Sequence, residues 1–250
     1  IERDQQGQSS KYNYNYWSSP VSSISTLSNN HGFSVADVMK DGTTSTPQSL
    51  NWTAGIDGFP TSPITLSNYW IFKFQEIGDG TSNWSAAGQN GLLQAGNGYT
   101  LKGCNAASPT QNYTFVGKPN NGTITSTVSA DNLNLCGNPY PSAISANALV
   151  THPTNVARAM GTLYFWTSVQ GFINASGQYS GIDYASWNLS GGTSPASDPT
   201  NTSLRPLGNI ASGQGFFAQV FVDGEVVFNN SMRIRNNNAQ FFRMAEGTSE

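Results

Sequence analysis

Five phrases of this chain occur twice in the same order, and any fold must accommodate that doubling. Asn15-Tyr-Trp-Ser-Ser-Pro-Val-Ser-Ser-Ile-Ser25 returns as Asn134-Leu-Cys-Gly-Asn-Pro-Tyr-Pro-Ser-Ala-Ile-Ser145, with one inserted residue. Tyr69-Trp-Ile-Phe-Lys73 returns as Tyr164-Phe-Trp-Thr167, and Trp84-Ser-Ala-Ala-Gly88 as Trp187-Asn-Leu-Ser-Gly191. Leu93-Gln-Ala-Gly-Asn-Gly-Tyr99 returns as Ile210-Ala-Ser-Gly-Gln-Gly-Phe216, and Phe115 corresponds to Phe228. These are two diverged copies of one unit, residues 12–128 and 132–243, with a seam near Ala130. Apolar strands, glycines and turns repeat; no acid, base or nucleophile repeats with them. The doubling therefore describes a scaffold and names no ligand.

Short apolar runs rich in Val, Ile, Tyr, Phe and Trp alternate with Gly, Pro, Asn and Ser clusters, which marks an all-β chain. We expect two tandem, related antiparallel β-sandwich (jelly-roll-like) units, residues 1–130 and 131–250, with few short helices. In Lys11-Tyr-Asn-Tyr-Asn-Tyr16 the side chains alternate, so Tyr12, Tyr14 and Tyr16 share one strand face. Leu133 and Leu135 stand in the second copy for Tyr14 and Tyr16. Leucines indicate burial, so the tyrosine row reads as core rather than as a sugar-stacking platform. The runs 68–74 and 162–167 are nearly continuous and read as strands buried on both faces. Strand 123–128 reads as the close of the first unit. Asp223-Gly224, between apolar flanks, reads as a two-residue hairpin turn. Helical turns are expected at 34–39 and 142–150, the latter with Ile144, Ala148 and Leu149 on one face.

Composition excludes several classes. Only 10% of the 250 residues are charged, against about 25% in an ordinary globular chain, and the net charge is -3 with 11 Lys and Arg. No basic stripe is available for phosphates, so nucleic acid is not expected as a partner; Arg233, Arg235 and Arg243 read as solvated strand-face residues. No apolar run approaches the roughly 20 residues that span a bilayer. Opening on Ile-Glu-Arg-Asp, the chain reads as a fragment or a processed product.

The chemistry-bearing residues give weak signals. Gly96-Asn-Gly98 and Gly213-Gln-Gly215 lack the third glycine, the following helix and the Lys-Ser/Thr of phosphate loops, so they read as turns or bulges. His31 and His152 are isolated from other metal ligands. Glu76 and Asp79, with nearby carbonyls of 78–80, form a candidate structural calcium site without EF-hand spacing. Asp183, Asp198 and Asp223 are further calcium candidates, and nothing local marks Glu76, Asp79, Asp183 or Asp223 as a glycosidase pair. Cys104 and Cys136 are candidates for a disulfide closing a loop of about 30 residues, worth roughly 3 kcal/mol, or for two buried free thiols. Eight Asn-x-Ser/Thr sequons occur, too many to mean much in a chain this rich in those residues. Trp70 and Trp166, and Trp84 and Trp187, recur at matching or adjacent repeat positions and so read as core. Trp52 has no counterpart and is the candidate exposed aromatic contact.

Gly137-Asn-Pro-Tyr-Pro-Ser-Ala-Ile144, Gly161-Thr-Leu-Tyr-Phe-Trp-Thr167, Ile210-Ala-Ser-Gly-Gln-Gly-Phe-Phe217 and Phe228-Asn-Asn-Ser-Met-Arg233 carry a resemblance, together with Tyr14-Asn-Tyr-Trp-Ser-Ser-Pro20. The chain resembles a module of very large secreted or cell-surface proteins of Bacteroidota, commonly exported by the type IX secretion system. That resemblance implies an extracellular, all-β, adhesin-like context and brings no catalytic residues. The expected role is a non-catalytic module binding glycan, matrix or a neighbouring module. The alternatives are a filament subunit self-associating through strand edges and a polysaccharide-active enzyme.

Overall fold

The computed structural model describes residues 1–25, 29–74, 84–130, 132–169 and 179–240. Among them the chain is mostly β, and the α-helices are Val35–Val38, Ala146–Val150 and Pro153–Val156. The largest sheets are a four-stranded antiparallel one in the N-terminal half and a five-stranded one in the C-terminal half. The first runs in the order Glu2–Gln8, Thr110–Val116, Met39–Asp41, Gln48–Ser49. The second runs Asn132–Gly137, Gly215–Val220, Leu163–Trp166, Tyr184–Asn188, Gly191–Thr193.

Hydrogen-bond register repeats with the sequence. Tyr14–Trp17 pairs with Tyr99–Lys102, placing Trp17 opposite Tyr99 and Tyr14 opposite Lys102. Asn132–Gly137 pairs with Gly215–Val220, placing Cys136 opposite Phe216 and Leu133 opposite Gln219. Phe33 bridges Leu93, as Ile144 pairs with Ile210, the repeat mate of Leu93. A serine, Ser34 or Ser145, and a short helix follow in each case. Phe33 thus fills the place that the sequence alignment gives to Ile24, and Ile24 is exposed.

Ile124–Val128, expected to close the first unit, pairs instead with Gly224–Phe228, with Ile124 opposite Phe228. In the first half Arg3 stands opposite Phe115 in the same way, within Glu2–Gln8 and Thr110–Val116. Ile124 and Val128 bury their side chains in the second core. With a boundary at residue 131, Ile124–Val128 falls in the first unit yet packs with the second core. Sequence reading missed Glu2–Gln8 because its residues are polar and show no alternation. The strand is held by main-chain pairing, and Gly7 leaves room for Trp17, whose ring would lie 2.5 Å from an added Cβ.

Asp223-Gly224 turns the chain but closes no hairpin. The strands on either side pair elsewhere, Gly215–Val220 with Asn132–Gly137 and Gly224–Phe228 with Ile124–Val128. The helices are shorter than expected, and Ala146, Leu149 and Val150 form the buried face of the second.

The two halves exchange their Gly-x-Gly turns. Asn97 bridges Cys136, the Gly98 N–H donates to the Leu135 carbonyl (2.9 Å), and the Gly137 N–H donates to the Gly96 carbonyl (2.9 Å). Reciprocally, Gln214 bridges Trp17, the Ser18 N–H donates to the Gly213 carbonyl (2.7 Å), and Gln214 Nε2 donates to the Tyr16 carbonyl (3.2 Å). Trp17 and Cys136 are repeat mates, so one contact is made twice, as across a two-fold axis. Gly96 and Gly213 adopt φ of 91° and 70°, in the left-handed region. A Cβ on Gly98 would lie 2.7 Å from the Cys136 carbonyl oxygen, and one on Gly215 would lie 2.8 Å from that of Trp17. Close backbone approach explains why these glycines repeat.

Apolar side chains form three clusters. Trp17, Phe33, Val38, Tyr99, Tyr113 and Phe115 belong to the first core. Tyr140, Leu149, Phe165, Trp187, Phe216 and Phe228 belong to the second. The third draws on both halves: Tyr16, Leu135, Trp166 and Phe217, with half-buried Tyr14, Phe74, Leu133, Tyr164, Tyr179 and Tyr184 against them.

Candidate functional site: an aromatic cleft between the repeats

A cleft of about 400 Å³ opens from the third cluster. Tyr14, Tyr16, Tyr69, Trp70, Phe72, Trp84 and Thr100 line it from the first half, and Trp166, Tyr179, Ser180, Gly181 and Tyr184 from the second. Its volume is in the range of small-ligand pockets, which are mostly apolar with a few placed polar groups.

Period-2 alternation presents Tyr14 and Tyr16 here, while Trp17 enters the first core. The run 68–74 is not buried on both faces. Asn68–Trp70 is a 3-10 turn whose cap Ser67 accepts from the Tyr69 N–H, and Tyr69 is 51% exposed. Ile71 is the fully buried member of that run. Thr100 pins the turn, donating to the Trp70 carbonyl (2.8 Å) and accepting from the Phe72 N–H (3.1 Å). The Trp70 indole donates to the Ile56 carbonyl. On the facing side Ser180 caps the 3-10 turn Gly181–Asp183 by accepting from the Ile182 N–H, and Thr167 N donates to the Asp183 carbonyl (3.0 Å).

The rings interlock across the halves. Tyr16 stacks on Trp166 at 5.9 Å and 14°, and the Tyr16 and Tyr184 hydroxyls share a hydrogen bond of 2.6 Å. Phe74 meets Phe217 edge-on at 5.0 Å, and Trp84 at 4.9 Å. Such contacts are each worth about 0.5–1.5 kcal/mol beyond burial, and they fix ring orientation. Burial holds the Tyr14, Tyr16, Tyr179 and Tyr184 hydroxyls protonated, far above the usual phenol range. The described lining therefore offers π faces, neutral phenols and small hydroxyls, which suit stacking and hydrogen bonding to a ring-shaped ligand.

Tryptophan equivalences also change. Trp187 lies opposite Leu163 and is buried in the second core. Ala87 takes that place in the first half, where its N–H bonds the Ile71 carbonyl. Trp84, opposite Phe74, matches Tyr184, opposite Trp166. Trp84 is 39% exposed at the cleft and is not core.

Trp52 lies away from the cleft. It is half-buried in Asn51–Thr53, which pairs in parallel with Thr65–Ser67, and it packs on the first core. Glu76, Asp79 and Arg243 lie outside the described residues. Among the described residues no three His, Cys, Asp or Glu side chains converge to hold a metal. Asp198 accepts from Asn201 in a local turn, Asp223 accepts from the Ala130 N–H, and Asp183 is fully buried. Cys104 and Cys136 are free thiols buried in different cores. Arg233 is not a free strand-face residue: it lies over the Tyr140 ring and donates to Ser142.

Sequence reasoning missed this site by taking Leu133 and Leu135 as a guide to Tyr14 and Tyr16. The signal was the divergence itself. At matched register, Tyr14, Tyr16, Thr100 and Lys102 in one copy face Leu133, Leu135, Phe217 and Gln219 in the other. One copy keeps two phenols, a hydroxyl and an ammonium where the other has three apolar side chains and one amide.

No curated protein and no solved structure matches the chain. The profile of one family matches it along its whole length, residues 1–250. The chain belongs to that family, DUF8693, a domain of unknown function.

Proposed function

We propose that this chain is a non-catalytic binding module that holds a glycan in the aromatic cleft, as part of a secreted or cell-surface protein. The carrying observation is the lining: nine tyrosine, tryptophan and phenylalanine rings of two repeats surround a cleft that Thr100 and Ser180 also line. Sugar rings present C–H faces that pack on such rings and hydroxyls that pair with phenols and serine or threonine. The low charge of the chain, 10% of residues, suits a neutral polymer. In this reading the scaffold is a pair of sandwich-like units whose ancestral symmetry was broken at one cleft. The resemblance to Bacteroidota surface modules supports the extracellular, type IX-exported setting.

Isothermal titration calorimetry with cellohexaose, xylohexaose and mannohexaose tests the proposal. Saturable binding to at least one is expected. The glycan reading is abandoned if none binds at millimolar concentration, and catalysis replaces binding if reducing ends are released.

A further inference from the structure

We infer that Lys102 is the positioning residue of the cleft, its ammonium joining rings of the two repeats. Lys102 Nζ lies 3.7 Å from the Trp70 ring centroid and 4.5 Å from that of Tyr14, both in the first half. It lies 5.4 Å from the ring of Tyr179, in the second half. All three rings line the cleft. The side chain is only 4% exposed, and a desolvated cation binds ring faces most strongly. Register puts Lys102 directly opposite Tyr14, where the second copy has neutral Gln219 opposite Leu133. Gln219 accepts from the Tyr164 hydroxyl and supports no such cage. The charge therefore belongs to the copy that keeps the cleft.

A clamp made from a cation is released by deprotonation. Burial pulls the Lys102 ammonium down to about 8, and Asp57 opposes the shift. The other titratable groups around the cage are Asp57, ion-paired with Lys11 at 2.8 Å, and the phenols Tyr14, Tyr69 and Tyr179. Tyr14 and Tyr179 are held protonated by burial, so neither ionises where Lys102 does. Below pH 8 the three rings share one cation; above it they share a neutral amine.

The test uses the full chain without ligand. The Trp70 indole N–H resonance, assigned by its loss in Trp70→Phe, is followed by NMR from pH 6.5 to 9.5. One titration with a midpoint near 8 is expected. It should vanish in Lys102→Arg, which stays charged, and in Lys102→Met. A flat wild-type profile, or a titration surviving in Lys102→Arg, overturns the inference even if Lys102→Met does not fold. The inference concerns a binding cleft and so rests on the proposed function. In a second arm, affinity for cellohexaose should fall about tenfold between pH 7 and 9.5 in the wild type and stay constant in Lys102→Arg. Failure of cellohexaose to bind at either pH counts against the glycan reading, while the indole titration still decides the role of Lys102.

Discussion

Replacing Gly215 by alanine puts the reciprocal exchange of turns under direct test. The added Cβ would lie 2.8 Å from the Trp17 carbonyl oxygen, 2.9 Å from the Tyr16 carbonyl carbon and 3.0 Å from the Trp17 nitrogen. All three are backbone atoms of Tyr14–Trp17, which is bonded along its length to Tyr99–Lys102. No flexible side chain can yield, so the strand must move by about 0.5 Å. Overpacking of this kind costs about 1–3 kcal/mol. Removing glycine from the unfolded chain offsets about 0.4–1 kcal/mol. The net loss is about 1–2 kcal/mol, or roughly 3–6 °C in Tm for a chain of this size. Gly98→Ala should behave alike, because its Cβ meets the Cys136 carbonyl oxygen at 2.7 Å. Gly161→Ala is the control, with nothing within 4 Å of the new atom. Thermal unfolding followed by circular dichroism and tryptophan fluorescence gives the comparison. A Gly215→Ala protein as stable as Gly161→Ala would refute the exchange.

Four further outcomes follow from the same contacts. Because each half inserts its turn into the other, calorimetry should record one cooperative unfolding transition, and two separated transitions would mean independent units. Tyr16, Tyr99 and Tyr113 are fully buried with phenols held well above the ordinary value near 10; their contribution is complete below pH 10 and is lost above it, at about 4 kcal/mol per pH unit for the three together. Urea melts between pH 9 and 11.5 should therefore show a steep alkaline loss, removed in part by Tyr113→Phe. Burial pushes the Cys136 thiol up to about 12 and also raises that of Cys104, so both should resist a thiol reagent until the chain unfolds and then titrate as two. Trp70→Ala should weaken glycan binding about 30-fold, near 2 kcal/mol, whereas Trp52→Ala should lower Tm and leave affinity unchanged.

The all-β class was legible in the sequence because repeated glycines and alternating aromatics report main-chain geometry. Gly96-Asn-Gly98 and Gly213-Gln-Gly215 were readable as turns from their missing helix and missing lysine. Their insertion into the opposite half was not readable, since a glycine reports that backbone approaches closely and does not say which backbone. Strand Glu2–Gln8 carries no apolar period, so its pairing with Thr110–Val116 left no mark, and the alternation of Ile124–Val128 does not say that its partner is Gly224–Phe228. The cleft was hidden by a sound rule applied one step too far. Leu135 is buried and Leu133 half-buried, but after duplication the matched face of the other copy was free to change. Lys102 illustrates the point: nothing beside it in the sequence marks it, and the fold brings three rings around it.

The most direct measurement is an NMR titration of the six indole N–H resonances with the oligosaccharide that calorimetry selects. Trp70, Trp84 and Trp166 should shift together along one saturating curve, with Trp52 and Trp187 unmoved. Saturable binding that shifts Trp52 and leaves the three cleft tryptophans in place would contradict the account.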